Sequence, residues 1–341
     1  MTPKIRTLLI EDSAFMRIVL SDLLRRDESI ELLGTANNGL EGVKKARLLM
    51  PDVIVTDLIM PEYDGLFVVN EVMKERPIPV ILLSSIGRAD KMVFTALRDG
   101  AFDFVDKPGE MEVKNGYKPL LDMVHHAFNS RCISLKEEHV RPVRRIPAVH
   151  GSVKHDIVVI GASTGGPSAI ELIVSNLPSP MPVPVVIAQH MPERFIMTFA
   201  ERLQGHTALK VGVAANGETL RANHVYLAPG AANVRVIKDD RHAYFSYVDE
   251  FYKEFNKPSI DCLFESVADQ FGGRCIGAIL TGMGKDGAKG LKKMRDAGGF
   301  TLSQDESTCA VYGMPKVAYE NGGSASQVML SEIVNFIISA L

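Results

Sequence analysis

The chain has 341 residues, too many for one ordinary core and about right for two α/β domains. Apolar residues make up 46% and charged residues 23%, so there is ample apolar surface to bury and global disorder is excluded. Its 38 Lys and Arg stand against 41 Asp and Glu, and a net charge of -3 offers no general attraction for nucleic acid or anionic lipid.

The opening MTPKIRTLLIEDS runs from basic residues straight into acids, without the apolar core and small-residue cleavage site of a signal peptide. No stretch is long enough to span a bilayer, so no direct membrane insertion is expected. Cys132, Cys262, Cys275 and Cys309 lie far apart with no C-x-x-C pair, which suits reduced thiols better than disulfides or a zinc site. A cytoplasmic location is the resulting expectation.

From residue 5 to about residue 128, short apolar runs alternate with helical patterns. IRTLLI, IELLGTA, DVIVTD, PVILLSS and FDFVD are rich in Val, Ile and Leu, as parallel strands covered on both faces should be. Amphipathic segments such as Ala14 to Arg26, Leu40 to Met50 and Gly65 to Glu75 lie between them, giving a five-fold βα repeat. Glu11, Asp12 and Asp57 fall at the carboxyl ends of the first and third strands, which are neighbours in one common doubly wound order. Converging carboxylates call for a hard divalent cation, Mg²⁺ before others. Ser84 ends the fourth strand and Lys107 follows the fifth, adding a hydroxyl and a cation to the same edge. Any one of these residues alone would be read as a helix cap or a solvated charge; the set together reads as a phosphate-handling site.

LLIEDS, DVIVTDLIMPEYDG, LLSS and DFVDKP resemble the response-regulator receiver family in order and spacing, over residues 4–125. The resemblance implies a flavodoxin-like (βα)5 receiver phosphorylated on Asp57 with Mg²⁺ by a histidine kinase, the metal held by Glu11, Asp12 and Asp57. It also implies Ser84 as the switch hydroxyl, Phe104 as the switch aromatic, and Lys107 as the partner of the phosphorylated aspartate. Many receivers carry two aspartates where this chain has Glu11 and Asp12, a departure the family tolerates.

Residues 126–154 have little apolar periodicity, two prolines and many charges, and read as a linker with a short helical piece at its start. Alternation resumes with IVVIGA, VPVVIAQH, HVYLAP, CIGAILTG and GGFTLSQD, predicting a second, mostly parallel, doubly wound α/β domain over residues 155–341. Between Ala208 and Val248 short strands crowd together, and a mixed sheet is expected there.

GASTGG, after the first of these strands, admits two readings. A dinucleotide fingerprint needs glycine where Ser163 stands and an acid at the next strand end, where this chain has Gln189 and His190. A nucleophile turn needs G-x-S-x-G between strand and helix, which GASTG satisfies, plus a base and a group to orient it. His190 and Asp286 follow later strands of the same sheet and supply both. Alone, His190 would be read as structural and Asp286 as a helix cap; three such residues at strand ends favour a Ser-His-Asp site. Their order, Ser then His then acid, differs from that of α/β-hydrolases.

GASTGGP, QHMPERF, YLAPG, KPSIDCLFESVA, TGMGKDGAKGL and QDESTCAVYGMP resemble, in order, the catalytic domain of the chemotaxis protein-glutamate methylesterase family. The resemblance implies hydrolysis of glutamate γ-methyl esters on chemoreceptors, controlled by the receiver, with deamidation of particular glutamines as a related activity. Ser163 would be the nucleophile, His190 the base and acid, Asp286 the orienting carboxylate, and hydrolysis would need no cofactor. Amides near Thr164 and Met283 are candidates for an oxyanion hole. Asn233 stands where the family commonly has histidine, which bears on substrate contacts more than on catalysis. The competing class, a receiver fused to a DNA-binding module, would end in a small basic helical domain rather than a large acid-balanced α/β one.

Overall fold

The computed structural model describes residues 4–84, 90–108, 117–130, 153–255 and 257–341. The chain divides into two compact units, Met1–Val140 and Arg141–Leu341.

In the first unit, β1 (Ile5–Ile10), α1 (Ala14–Arg26), β2 (Ile30–Ala36), α2 (Gly39–Leu49), β3 (Val53–Asp57), α3 (Gly65–Glu75), β4 (Val80–Ser84), α4 (Asp90–Arg98), β5 (Asp103–Asp106) and α5 (Lys118–Asn129) alternate. The strands form one parallel sheet in the order β2-β1-β3-β4-β5. β3 and β4 are buried along their whole length, which explains their unbroken apolar runs. Ser13, Asn38 and Asp64 cap α1, α2 and α3 by accepting from backbone N–H groups of the first turn, so each loop at the carboxyl edge ends in a fixed helix start. α5 continues to Asn129, inside the span read as linker, and residues 131–152 of that span lie outside the described residues.

The second unit runs β6 (Ile157–Ala162), α6 (Gly166–Asn176), β7 (Val185–Gln189), α7 (Glu193–Gln204), β8 (Lys210–Val213), β9 (His224–Leu227), β10 (Asn233–Lys238), β11 (Ala243–Val248), α8 (Ile260–Phe271) and β12 (Cys275–Ile279). α9 (Ala288–Asp296), β13 (Phe300–Gln304), α10 (Met314–Glu320), β14 (Ser326–Val328) and α11 (Ile333–Ala340) complete it. Seven strands pair in parallel in the order β14-β13-β12-β6-β7-β9-β8. Strand order reverses around β6, and Ser163 follows that strand.

The expected mixed sheet does not form. β8 and β9 join the large sheet in parallel, while β10 and β11, with Tyr244 of β11 also bridged antiparallel to Thr219, form a separate antiparallel hairpin. Its turn is closed locally: the Asp239 carboxylate accepts from the Arg241 and His242 N–H groups. Val234, Val236 and Phe245 from this hairpin share one buried cluster with Ile260, Leu263, Phe264 and Val267 of α8, so its apolar face is satisfied by a helix. Among the described residues no helix is long and apolar enough to cross a membrane.

Candidate active site

Ser163 is the first residue after β6 and His190 the first after β7. The register sets Ala162 beside Gln189, and the His190 N–H donates to the Ala162 carbonyl at 3.0 Å, so the two residues leave neighbouring strands side by side. Gly165, at φ 74°, turns the chain from Ser163 into α6 in a left-handed conformation that favours glycine. Gly282 lets a second loop approach: a methyl group there would lie 2.7 Å from the Ser163 Cβ. That approach brings the following residue, Met283, to the turn holding Ser163 and Thr164. Neither the Thr164 nor the Met283 N–H is engaged by a carbonyl among the described residues.

His190 and Asp286 meet directly, with Nε2 and Oδ2 2.8 Å apart and their side chains only 5% and 2% exposed. The nitrogen facing the acid is Nε2, which leaves Nδ1 as the acceptor for a substrate-side proton. Phe255 stacks on the imidazole, with ring centroids 3.7 Å apart and planes within 10°. The Ser163 hydroxyl makes no hydrogen bond to the ring among the described residues; it lies beside an assembled His-Asp pair, and nucleophile–base bonds are often loose without substrate.

The Asp286 carboxylate is itself held at the start of α8. It accepts from the Ile260 N–H at 2.7 Å, the Asp261 N–H at 3.1 Å and the Ser259 hydroxyl at 3.2 Å, in addition to His190. A helix N-terminus presents unpaired N–H groups and a positive dipole end, which suit an anion. Ser259 is also the N-cap of α8. Burial lifts the carboxyl of the adjacent Asp261 to about 7, the Gly290 N–H opposing and the Asp286 charge adding to the rise.

Sequence reasoning gave these supporting residues no role. Gln189 donates to both the Ser163 carbonyl at 2.9 Å and the His190 carbonyl at 3.0 Å, tying the two strand ends together. Thr281 donates to the Thr164 carbonyl at 2.9 Å and accepts from the Val311 N–H at 2.9 Å, joining three loops. The available signal was in KPSID, where serine precedes an apolar helical pattern in the manner of an N-cap. Asn233 is fully buried, and its side-chain amide is bonded to backbone groups.

At the carboxyl edge of the first sheet, ligand oxygens of Glu11, Asp12 and Asp57 lie within 4.8 Å of one another. Lys107 Nζ lies 2.5 Å from Asp57 Oδ2 and 2.9 Å from Glu11 Oε2. Burial raises the pKa of both acids against the pull of this lysine. For Lys107, burial opposes the cation, but hydrogen bonds to Asp57 and Glu11 outweigh it and raise its pKa. Three oxygen donors against one ammonium leave excess negative charge, a donor set that fits a hard divalent cation. The Ser84 hydroxyl, buried at this edge, has no hydrogen-bond partner among the described residues, leaving it an open donor. Phe104 lies within β5, inside the strand run FDFVD, and residues 85–89 after Ser84 lie outside the described residues.

A family model described as CheB methylesterase matches residues 158–337, and one described as response regulator receiver domain matches residues 7–114. A protein of Archaeoglobus fulgidus named protein-glutamate methylesterase/protein-glutamine glutaminase is 39% identical over 343 residues, covering 98% of this chain and 98% of that protein. A protein of the same name from Agrobacterium fabrum is 39% identical over 332 residues, covering 96% of this chain and 94% of its own. The crystal structure of the Thermotoga maritima CheB methylesterase catalytic domain is 35% identical with a TM-score of 0.54, covering 55% of this chain and 99% of that one.

Proposed function

The chain belongs to the CheB methylesterase family and carries a response regulator receiver domain ahead of the catalytic one, and from that premise we propose a phosphorylation-controlled protein-glutamate methylesterase. It acts in the cytoplasm on γ-glutamyl methyl esters of chemoreceptors, resetting their response during adaptation, and deamidates particular receptor glutamines at the same site. The observation that carries this reading is the buried His190–Asp286 pair beside Ser163 at one sheet edge.

The Ser163 hydroxyl attacks the ester carbonyl while His190 Nδ1 takes its proton, and the Asp286 carboxylate, accepting from Nε2–H, stabilises the imidazolium that forms. The oxyanion is received by the Thr164 and Met283 N–H groups. His190 returns the proton to the departing methoxide, releasing methanol and leaving an acyl-serine. Water then attacks the acyl carbon, giving its proton to His190, and collapse frees glutamate and regenerates the serine hydroxyl. For a glutamine the same steps release ammonia. Control enters at the receiver, where Glu11, Asp12 and Asp57 would hold Mg²⁺, whose charge offsets that of the incoming phosphoryl group. A chemotaxis histidine kinase donates the phosphoryl group to Asp57; Lys107 and Ser84 supply a cation and a hydroxyl donor for its oxygens.

The test is methanol release from methylated receptor fragments. Wild-type protein should turn over, faster with a small-molecule phosphodonor. Ser163→Ala, with an unchanged circular dichroism spectrum, should be inactive. Near-normal release by that variant would remove serine from the mechanism.

A further inference from the structure

Asn233 opens β10 and is itself fully buried, with 0% exposure. Its side-chain amide bonds three backbone groups of the connection from β11 to α8. Nδ2 donates to the Glu250 carbonyl at 2.9 Å, and Oδ1 accepts from the N–H groups of Lys257 at 3.0 Å and Ser259 at 2.8 Å. An amide with donors on one end and two acceptor lone pairs on the other meets all three demands, which no apolar residue of that size can do. The same connection delivers two groups to the catalytic pair. Phe255 lies flat on His190, and the Ser259 hydroxyl donates to Asp286 Oδ1.

We propose that Asn233 is a positioning residue of the hydrolytic site, holding Phe255 against one face of His190 and Ser259 against Asp286. It touches neither ester nor water. An imidazole at a strand end can turn about two side-chain bonds, and its hydrogen bond to Asp286 fixes only one ring atom. A flat aromatic ring packed on one face removes the remaining freedom, so Nδ1 stays aimed at the Ser163 side. Preorganisation of this kind matters because displacements of about 1 Å at a reacting group can cost on the order of a hundredfold in rate. The inference rests on the hydrolase reading of Ser163, His190 and Asp286.

The test compares full-length Asn233→Leu, Asn233→His and Phe255→Leu with the wild type. Leucine keeps the branched outline, at a larger volume, without hydrogen bonding, and histidine restores one donor and one acceptor. Two quantities are measured: kcat and KM for methanol release, and the low-field proton NMR signal of His190 Nε2–H bonded to Asp286, assigned by its loss in His190→Gln. In Asn233→Leu we expect the signal to broaden or vanish and kcat to fall roughly tenfold with KM within about twofold, as for loss of a group acting in the transition state. Phe255→Leu should show the same pattern, and Asn233→His should keep the signal and most of the activity. A sharp, unshifted signal in folded Asn233→Leu overturns the proposal. If that variant does not fold, an unchanged signal in Phe255→Leu, altered at a partly exposed side chain, overturns it equally. The signal is read without substrate, so a wild type that releases no methanol would count against the esterase reading and not against this one.

Discussion

At the scale of single residues, the site is a unit rather than a sum. Ser163→Ala and His190→Ala should each lower kcat by about 10⁴-fold or more, and the double variant should be hardly worse, because either loss already disables the same step. A double variant slower by the product of the two would mean that they act in separate steps. Asp261 offers a prediction about stability. Burial lifts its carboxyl from 3.8 to about 7, so the folded state binds the proton more tightly than the unfolded one. The stabilisation is then fully present below the lower value and lost as pH rises to the higher one. Thermal unfolding should show stability falling across that window, and Asp261→Asn, which can still accept from the Gly290 N–H, should flatten the fall by up to a few kcal/mol. An unchanged slope in the variant would show that the acid is not the group responsible.

Among elements, α8 contributes its start rather than its length. Ser259 caps it by accepting from the Cys262 N–H and also donates to Asp286. Ser259→Ala should therefore cost about 1 kcal/mol of stability, as caps do, and also lower kcat. Asn38→Ala removes the corresponding cap of α2 and should cost similar stability with basal esterase rates unchanged. If both variants lost stability alone, the Ser259–Asp286 bond would have no catalytic consequence. The central parallel strands β3, β4, β6, β7 and β12 were legible from their apolar runs because each is buried along its whole length. The β10–β11 hairpin was not, because short alternating strands look alike whether they join a large sheet or pair beside it; here the fit of Val234, Val236 and Phe245 onto α8 decides.

For the whole molecule, the proposed function puts two chemistries on one chain, and they should respond differently to metal. Chelation with EDTA should block phosphorylation of Asp57 while leaving basal methanol release unchanged. A hydrolytic step that stopped on chelation and recovered with added metal would point to metal-activated water. Asp57→Asn should stay at the basal rate with a phosphodonor present; a tenfold activation in the wild type needs only about 1.4 kcal/mol of differential stability between two states. By itself, the sequence determined the α/β class, the strand–helix alternation of the first unit, the acids at the first sheet edge, and the placing of Ser163, His190 and Asp286 after strands. Those features are written in local periodicity, turn chemistry and short contiguous segments. Tertiary structure alone decided that Nε2 of His190 faces Asp286, that Phe255 covers the ring, and that Gln189, Ser259 and Asn233 brace the pair. These are contacts between residues distant in the chain, 96 positions apart for His190 and Asp286. They depend on strand register and ring orientation, which local pattern leaves open and only close packing fixes.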